Sequence, residues 1–206
     1  MDNQETNLIY GKNAVTETLN SGREIDTVYI QKGAALSKIV ALAKKNGVVI
    51  KEVSDERLTA ICGTPKHGGT AAELAAASYS TVEDILANAE QRGKPPFIII
   101  ADEIEDPHNL GAIIRTAEAA GADGLIIPKR RSAGLTAIVA KTSAGAVSHI
   151  PVARVPNLTA LMKELQKRGV WIFGAEMNGN TSLYEADLKG PAAIVIGNEG
   201  EGMSRL

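Results

Sequence analysis

Apolar positions along the chain recur with two spacings, one typical of strands and one typical of helices. Short β-branched runs such as 97–101 and 192–197 predict buried strands, because a strand covered on both faces lacks alternating polar positions. Between these runs apolar residues recur three and four positions apart, as in Leu110, Ile113 and Ile114, which predicts amphipathic helices. Strands that alternate with helices favour a parallel sheet, so we predict an α/β fold.

The same pattern divides the chain into two predicted domains. Residues 1–77 show three helical and three strand patterns in alternation, which is enough for a small α/β domain. We interpret residues 78–94 as a linker, because a Pro-Pro pair follows at 95–96. Residues 95–206 carry the longer strand and helix series and are predicted to form a second domain with a parallel sheet.

One helix of the second domain follows directly on a buried strand. Its pattern predicts a helix over 109–120, with Asn109 as the N-cap and Gly121 beyond the end. A further helix is predicted over 133–145.

Arg115 lies on the polar side of the helix predicted over 109–120. It shares that side with Gly111 and Ala112, whose small size leaves room for a ligand or for another backbone to come close. Chemistry in α/β proteins is usually found near the carboxyl ends of strands, which favours a site residue. A solvated surface arginine remains the alternative.

A glycine-rich segment, Gly197–Gly202, follows the last predicted strand. Such a loop presents backbone N–H groups that can cradle a ligand. Its spacing is G-x-x-G-x-G, whereas the dinucleotide fingerprint is G-x-G-x-x-G and follows the first strand of its unit. The segment therefore gives little support to an NAD site.

Composition and charge narrow the possible partners. The chain has 206 residues, of which 44% are hydrophobic, so it can bury a substantial core. Only 3% are aromatic, which excludes an extensive base-stacking surface. Either side of the Lys94–Pro95 bond carries 11 basic and 12 acidic residues, so a polyanion would have to bind a local patch. The basic run Lys129–Arg131 is a candidate for that patch.

Other classes of site are disfavoured. Cys62 is the single cysteine, which excludes an internal disulfide, and the three histidines have no metal-ligand spacing. No metal is therefore expected. No apolar run approaches the roughly 18 residues needed to cross a membrane, and we predict a cytoplasmic protein without a membrane partner.

Three segments together resemble the SpoU/TrmH family of RNA ribose 2′-O-methyltransferases. Asp106–Ala117 is similar to the family's first motif, Ile194–Met203 is similar to most of its second, and Lys141–Ala146 lies between them. The resemblance covers nearly the whole chain. It implies a SPOUT domain, which is a parallel sheet with a trefoil knot, at 95–206. Residues 1–77 resemble the ribosomal-protein-like RNA-binding domain of members that methylate a guanosine of 23S ribosomal RNA.

The resemblance also implies an active site and a methyl donor. Arg115 matches the catalytic arginine, Asn109 matches a residue that shapes the site, and Glu199 matches an acidic residue near the substrate. S-adenosylmethionine is the implied donor. The backbone positions implied to bind it are Gly174, Ala175, Gly197, Asn198 and Gly200.

RNA contacts and a homodimer follow from the same resemblance. Arg131 and Ser132 match a loop that the family is expected to bring to RNA. Lys12 and Arg130, which belongs to the basic run, are further candidates for RNA contact, with solvated surface positions as the alternative. The family's active site lies at the interface between two subunits. Ribosomal RNA is the expected substrate, transfer RNA is the alternative, and a non-catalytic RNA-binding protein is a third possibility.

The role of Arg115 stays open at this point. A ribose hydroxyl is a poor nucleophile, so its proton must be removed or its developing charge stabilised. An arginine side chain gives up its proton only at strongly alkaline pH, which is unfavourable for a base. Arg115 is either a base aided by a bound phosphate or a cation that holds the phosphate and the oxyanion.

Two features depart from the family pattern. His67-Gly68-Gly69 stands where the family has His-Gln-Gly, which puts any RNA contact of the glutamine in doubt but preserves the turn. The family's third motif, which completes the knot and much of the donor pocket, is not found. We expect the 206 residues to be a fragment that is inactive or weakly active and binds S-adenosylmethionine poorly or not at all. Calorimetric titration of the donor, with NAD as control, tests this expectation.

Overall fold

A computed structural model of the chain describes residues 7–177, 179, 181–200 and 202–204. These residues form two compact units. Unit 1 extends to Ala77 and includes Gly134–Ala137, and unit 2 begins at Ser78 and contains the rest. Each unit has a sheet and a hydrophobic core of its own.

Unit 1 is a mixed sheet with helices. Its strands and helices are β1 (Leu8–Tyr10), β2 (Ile25–Gln31), β3 (Val49–Val53), β4 (Thr70–Leu74), α1 (Lys12–Asn20), α2 (Ser37–Lys45) and α3 (Asp55–Cys62). The strand order is β1-β4-β2-β3, and only β2 and β3 pair in parallel. The sequence pattern predicts all of these elements except β1, whose three residues are too few to show a period.

Unit 2 is a sheet in which every pair of neighbouring strands is parallel. Its strands are β5 (Phe97–Ala101), β6 (Gly124–Pro128), β7 (Val152–Val155), β8 (Trp171–Ala175) and β9 (Ala192–Ile196). Its helices are α4 (Val82–Gln91), α5 (Pro107–Ala119), α6 (Ala137–Thr142) and α7 (Leu158–Lys167). The predicted α/β fold with a parallel sheet is therefore confirmed. Within the described residues, no helix is both long and apolar enough to cross a membrane.

The strand order of this sheet, β7-β6-β5-β9-β8, reverses direction beside β5. From β5 the chain continues to β6 and β7 on one side, and it then fills the other side with β8 and β9. Open parallel sheets bind ligands outside the carboxyl ends of the strands at such a reversal. The segments that follow Ala101 and Ile196 therefore occupy the place where a site is expected.

The segment 78–94, predicted as a linker, packs as part of unit 2. Ten of its residues form α4, whose first turn is closed by reciprocal hydrogen bonds between Thr81 and Asp84. Ile85 on this helix is fully buried in the core of unit 2. It lies so close to Gly124 that a Cβ added to the glycine would be 2.4 Å from the Ile85 side chain. The Pro-Pro pair precedes β5 and does not mark a domain boundary.

Two predicted helices also have different bounds. α5 begins at Pro107, and its N-cap is Asp106, whose carboxylate accepts a hydrogen bond of 2.8 Å from the His108 N–H. The prediction of Asn109 as N-cap is wrong because proline, which has no N–H, is well suited to the first helical position. The helix predicted over 133–145 is reduced to α6, which is followed by a short 3₁₀ helix (Ala146–Ser148).

Asp123, just before β6, joins three segments of unit 2. Its carboxylate is 1% exposed, accepts a hydrogen bond of 2.8 Å from the Phe97 N–H and pairs with the Arg92 guanidinium after α4. Removing the carboxylate leaves the Phe97 N–H without its acceptor and the partly exposed Arg92 guanidinium without its partner, so we expect Asp123→Ala to lower the free energy of unfolding by about 2 kcal/mol in urea denaturation. Glu90→Ala, at an exposed position of α4, should change it by less than about 0.5 kcal/mol. Equal losses of unfolding free energy in the two variants would contradict the inference that the contacts of Asp123 stabilise unit 2.

Candidate functional site

The loop after β9 is a tight turn closed by its own backbone. Asn198 and Gly202 exchange two backbone hydrogen bonds of 2.9 and 2.8 Å, and the Asn198 side chain accepts a third, of 2.9 Å, from the Gly200 N–H. A Cβ added to Gly197 would lie 2.3 Å from the Gly202 carbonyl carbon and 2.3 Å from the Met203 nitrogen. Only glycine fits at position 197.

This loop is also attached to the end of β5. The Asp102 N–H donates to the Ile196 carbonyl at 2.8 Å, and the Asp102 carboxylate accepts from the Ser204 N–H at 2.7 Å. The Asn198 side-chain amide donates to the Glu103 carbonyl at 3.1 Å. Sequence reasoning did not select Asp102, although an acidic residue directly after an apolar strand is a usable signal. The structure gives it the role of joining the two strand ends at the reversal.

The basic loop after β6 meets the same edge of the sheet. The Arg131 guanidinium donates to the Glu103 carboxylate at 3.1 Å, and the Ala133 N–H donates to the Ile104 carbonyl at 2.8 Å. The Ser132 hydroxyl donates to the Ala133 carbonyl at 3.1 Å. Arg130 is exposed and has no hydrogen bond or ion pair with a described residue. Arg131 and the glycine loop are thus connected through Glu103.

Helix α5 carries the other predicted site residues. Leu110 and Ile114 are fully buried, whereas Arg115 is exposed and bonds to no residue that the structure describes. Asn109 is half-buried in the first turn. At 1.5 Å per residue, Arg115 lies about 9 Å further along the helix than Asn109.

The side of α5 that carries Gly111 is contacted by another part of the chain. A Cβ added to Gly111 would lie 1.9 Å from the Thr142 hydroxyl oxygen, 2.8 Å from the Thr142 Cβ and 3.0 Å from the Ser143 nitrogen. This confirms one of the two predicted uses of small residues there, the close approach of another backbone. Arg115 lies one turn further along the same face, beyond this contact.

The end of β8 lies beside the end of β9. Gly174 pairs with Val195, Ala175 pairs with Ile196, and both residues at the end of β8 are exposed. A cavity of about 280 Å³ adjoins Gly174, with Ile172, Val195 and Met203 among its lining residues. The predicted donor positions at 174, 175 and 197 are therefore at neighbouring strand ends.

Comparison with known proteins now identifies the family. Residues 96–206 match the model of the SpoU rRNA Methylase family. The chain belongs to this family. Residues 8–80 match a second model, described as RNA 2′-O ribose methyltransferase substrate binding.

Similar proteins agree with this membership. A Bacillus subtilis protein provisionally described as a TrmH family tRNA/rRNA methyltransferase is 44% identical over 207 residues, covering 98% of this chain and 82% of that protein. The crystal structure of an AdoMet-bound rRNA methyltransferase from Sinorhizobium meliloti is 25% identical with a TM-score of 0.53, covering 96% of this chain and 72% of that one. AviRb, a SpoU methyltransferase of Streptomyces viridochromogenes solved with AdoMet, is 20% identical with a TM-score of 0.55. It covers 96% of this chain and 74% of that chain and shows the fold alone.

The structure brings some of the predicted SpoU residues together and leaves others apart. Gly197, Asn198 and Gly200 form one turn, as described above. Glu199 in that turn is exposed and bonds to no described residue. Among the described residues, no hydrogen bond or ion pair joins Arg115 to Asn109, to Glu199 or to the glycine turn. Nor does any group of three or more His, Cys, Asp or Glu side chains in the described part of the chain form a metal cluster.

Lys12, predicted to contact RNA, lies in unit 1 as the first residue of α1 and is exposed. The turn at 67–69 lies beside it, since a Cβ added to Gly68 would be 3.7 Å from the Lys12 nitrogen. His67 is 2% exposed and fixes this turn, because its Nδ1 accepts a hydrogen bond of 3.1 Å from the Gly69 N–H. Its Nε2 lies 3.1 Å from the Thr59 hydroxyl. The turn therefore has a defined shape in this chain, although glycine replaces the family's glutamine.

Proposed function

We propose that the natural protein that carries this sequence transfers a methyl group from S-adenosylmethionine to a ribose 2′-hydroxyl of structured RNA, with a guanosine of 23S ribosomal RNA as the substrate. The observation that carries the proposal is the junction at the sheet reversal, where Asp102 ties the glycine loop to the end of β5. Membership of the SpoU family supports methyl transfer as the reaction at this junction. The similar Sinorhizobium meliloti protein, described as an AdoMet-bound rRNA methyltransferase, supports the same donor and substrate class.

The strand ends fit the proposed donor. Gly174 and Ala175 present exposed backbone, and the cavity beside Gly174 has apolar side chains that suit an adenine ring. The turn holds the backbone of Gly197, Asn198 and Gly200 in one conformation. Little further conformational entropy is therefore lost when a ligand binds there. When bound, the donor supplies a methyl group activated by a sulfonium. The chain contributes position and charge, since an in-line displacement depends on alignment.

For Arg115 we propose the electrostatic role. Its guanidinium is exposed and unpaired among the described residues, so all of its donors are available to a phosphate and to the developing oxyanion. Asn109 would orient the ribose and Glu199 would contact the substrate nucleoside. These three assignments rest on the family motifs and on the exposed or half-exposed positions of the side chains.

We further propose that the enzyme is a homodimer with a shared active site. Among the described residues of one chain, Arg115 has no bond to the glycine turn, and a site completed by a second copy would account for this separation. Lys12, Arg130, Arg131 and Ser132 are proposed to contact RNA. The cytoplasmic location remains a prediction.

The test is methyl transfer by the natural protein that carries this sequence. The protein is incubated with tritiated S-adenosylmethionine and with 23S ribosomal RNA or transfer RNA transcribed in vitro. We expect label in the ribosomal RNA, in a dinucleotide that resists alkaline hydrolysis, because a 2′-O-methyl group blocks cleavage there.

Each other outcome revises a defined part of the proposal. Label in transfer RNA alone would move the substrate to the alternative class. Label on a base would contradict ribose methylation. Binding of RNA with no transfer to either RNA would favour a non-catalytic RNA-binding protein.

A further inference from the structure

Glu103 and Arg131 form an ion pair at the carboxyl edge of β5 and β6. The distance between the carboxylate oxygen and Nη1 is 3.1 Å. The Arg131 side chain is 72% exposed and the Glu103 side chain is 30% exposed. The pair engages one nitrogen of the guanidinium, so most of its donors still face solvent.

Both residues have an unusual backbone. Among the described residues, three non-glycine residues have positive φ, and two of them are Glu103 (55°) and Arg131 (54°). The left-handed region is unfavourable for residues with a Cβ, and such strain persists only where the surroundings enforce it. The ion pair therefore joins two residues whose backbones are both held in this region.

Glu103 also contacts the glycine loop through its backbone. Its carbonyl oxygen accepts the hydrogen bond of 3.1 Å from the Asn198 side-chain amide. The preceding residue, Asp102, binds the Ser204 N–H of the same loop. One residue therefore bonds to the proposed donor loop by its backbone and to the basic loop by its side chain.

We propose that Glu103 is a positioning residue, which holds the Arg131 guanidinium at this edge so that its free donors receive a backbone phosphate of the RNA substrate. This rests on the proposed function, because it presumes an RNA substrate at the strand ends. Glu103 itself does not touch the RNA. The planar guanidinium, fixed at one nitrogen, presents its remaining N–H groups in the fork that suits a phosphate.

Two effects of Glu103 on RNA binding have opposite signs. Its negative charge repels a phosphate, but the pair is near the surface, where water and salt screen that repulsion strongly. Its bond to Arg131 restrains a long side chain and a strained loop before RNA binds. Less conformational entropy is then lost on binding, so the binding free energy is more favourable. The second effect is expected to dominate, so loss of the carboxylate should weaken RNA binding.

The test measures filter binding of radiolabelled 23S ribosomal RNA transcript as a function of salt. Arg131→Ala should weaken binding about tenfold and reduce the slope of log Kd against log salt by about 0.7 to 0.9, as loss of one phosphate contact does. Glu103→Ala should reproduce most of both changes, although it removes a negative charge. The double variant should bind no more weakly than Arg131→Ala, because the two residues act as one unit.

Two further variants separate positioning from a general effect. Glu103→Gln keeps an oxygen that can accept from Nη1 and should recover part of the affinity. Glu105→Ala removes an exposed carboxylate two residues away and should leave affinity and slope unchanged. Urea denaturation of each variant confirms that it remains folded.

The outcomes distinguish this inference from the proposed function. If Glu103→Ala binds RNA as well as or better than the unchanged protein, Glu103 does not position Arg131. Additive losses in the double variant would also overturn the inference. If the unchanged protein binds neither ribosomal nor transfer RNA, the proposed function fails as well.

Discussion

Replacing Arg115 with alanine is expected to lower the rate of methyl transfer by about a thousandfold, the effect of losing a charge that stabilises a developing oxyanion. Stability should change by less than about 0.5 kcal/mol, because the side chain is exposed and bonds to no described residue. RNA affinity should fall only slightly, since one contact among many is removed. Single-turnover transfer of tritiated methyl to a 23S transcript measures the effect on the chemical step.

Arg115→Lys discriminates between the two roles considered for this residue. Lysine releases a proton more readily than arginine, so if the residue acts as a base, the lysine variant should work at least as well at high pH. Lysine lacks the planar fork that holds a phosphate and an oxyanion together, so the electrostatic role predicts that Arg115→Lys stays nearly inactive at every pH. A variant that regains activity as pH rises would contradict our proposal.

The control for both variants is Glu118→Ala on the same helix. Glu118 is exposed, lies three residues beyond Arg115 and has no proposed role. Transfer by this variant should match the unchanged protein. A comparable loss in both positions would mean that the surface of α5 matters and that Arg115 has no special function.

The sequence predicts the fold well where local patterns determine it. The β-branched runs of unit 2 become buried parallel strands, because a run without polar positions must be covered on both faces. The bounds of α5 were wrong by two residues because Asp106-Pro107 is a stronger start signal than Asn109. The linker prediction failed at α4, since Ile85 is buried by contact with β6, which lies far away in the sequence.

The site was only partly predictable for a similar reason. The glycine loop and Arg115 stand out because single segments carry their motifs. Asp102 binds Ser204 across 102 positions and Glu103 binds Arg131 across 28, and neither pairing leaves a periodic signal in one sequence. Such contacts depend on strand order, and the placement of β9 beside β5 has no local signature. The sequence therefore indicates candidate chemical groups, but it does not indicate the residues that hold the strand ends and loops in place.

Gly197→Ala is expected to lower the free energy of unfolding by at least about 2 kcal/mol and to abolish methyl transfer. The added Cβ would lie 2.3 Å from two backbone atoms of the turn, and a backbone cannot move aside as a flexible side chain can. The turn must open, which separates Asn198 from Gly202 and disrupts the proposed donor contacts. Urea denaturation measures the first effect and the transfer assay measures the second.

Gly190→Ala is the matched control for this substitution. Gly190 has no atom within 4 Å of an added Cβ, and its backbone is not left-handed. Its stability and transfer should therefore stay close to those of the unchanged protein. If Gly197→Ala is as stable and active as this control, the close packing of the turn is not required.

Mixing the Arg115→Ala and Gly197→Ala proteins then tests the shared site. In a dimer whose active site takes Arg115 from one subunit and the glycine turn from the other, a mixed dimer has one site with both elements intact. After the two inactive proteins are mixed and allowed to exchange subunits, up to about a quarter of the activity should return, because about half of the dimers are then mixed and each has one working site of two.

If both elements act within one subunit, every site in the mixture carries a defect. Activity would then stay at the level of the separate variants, and the shared site would be contradicted.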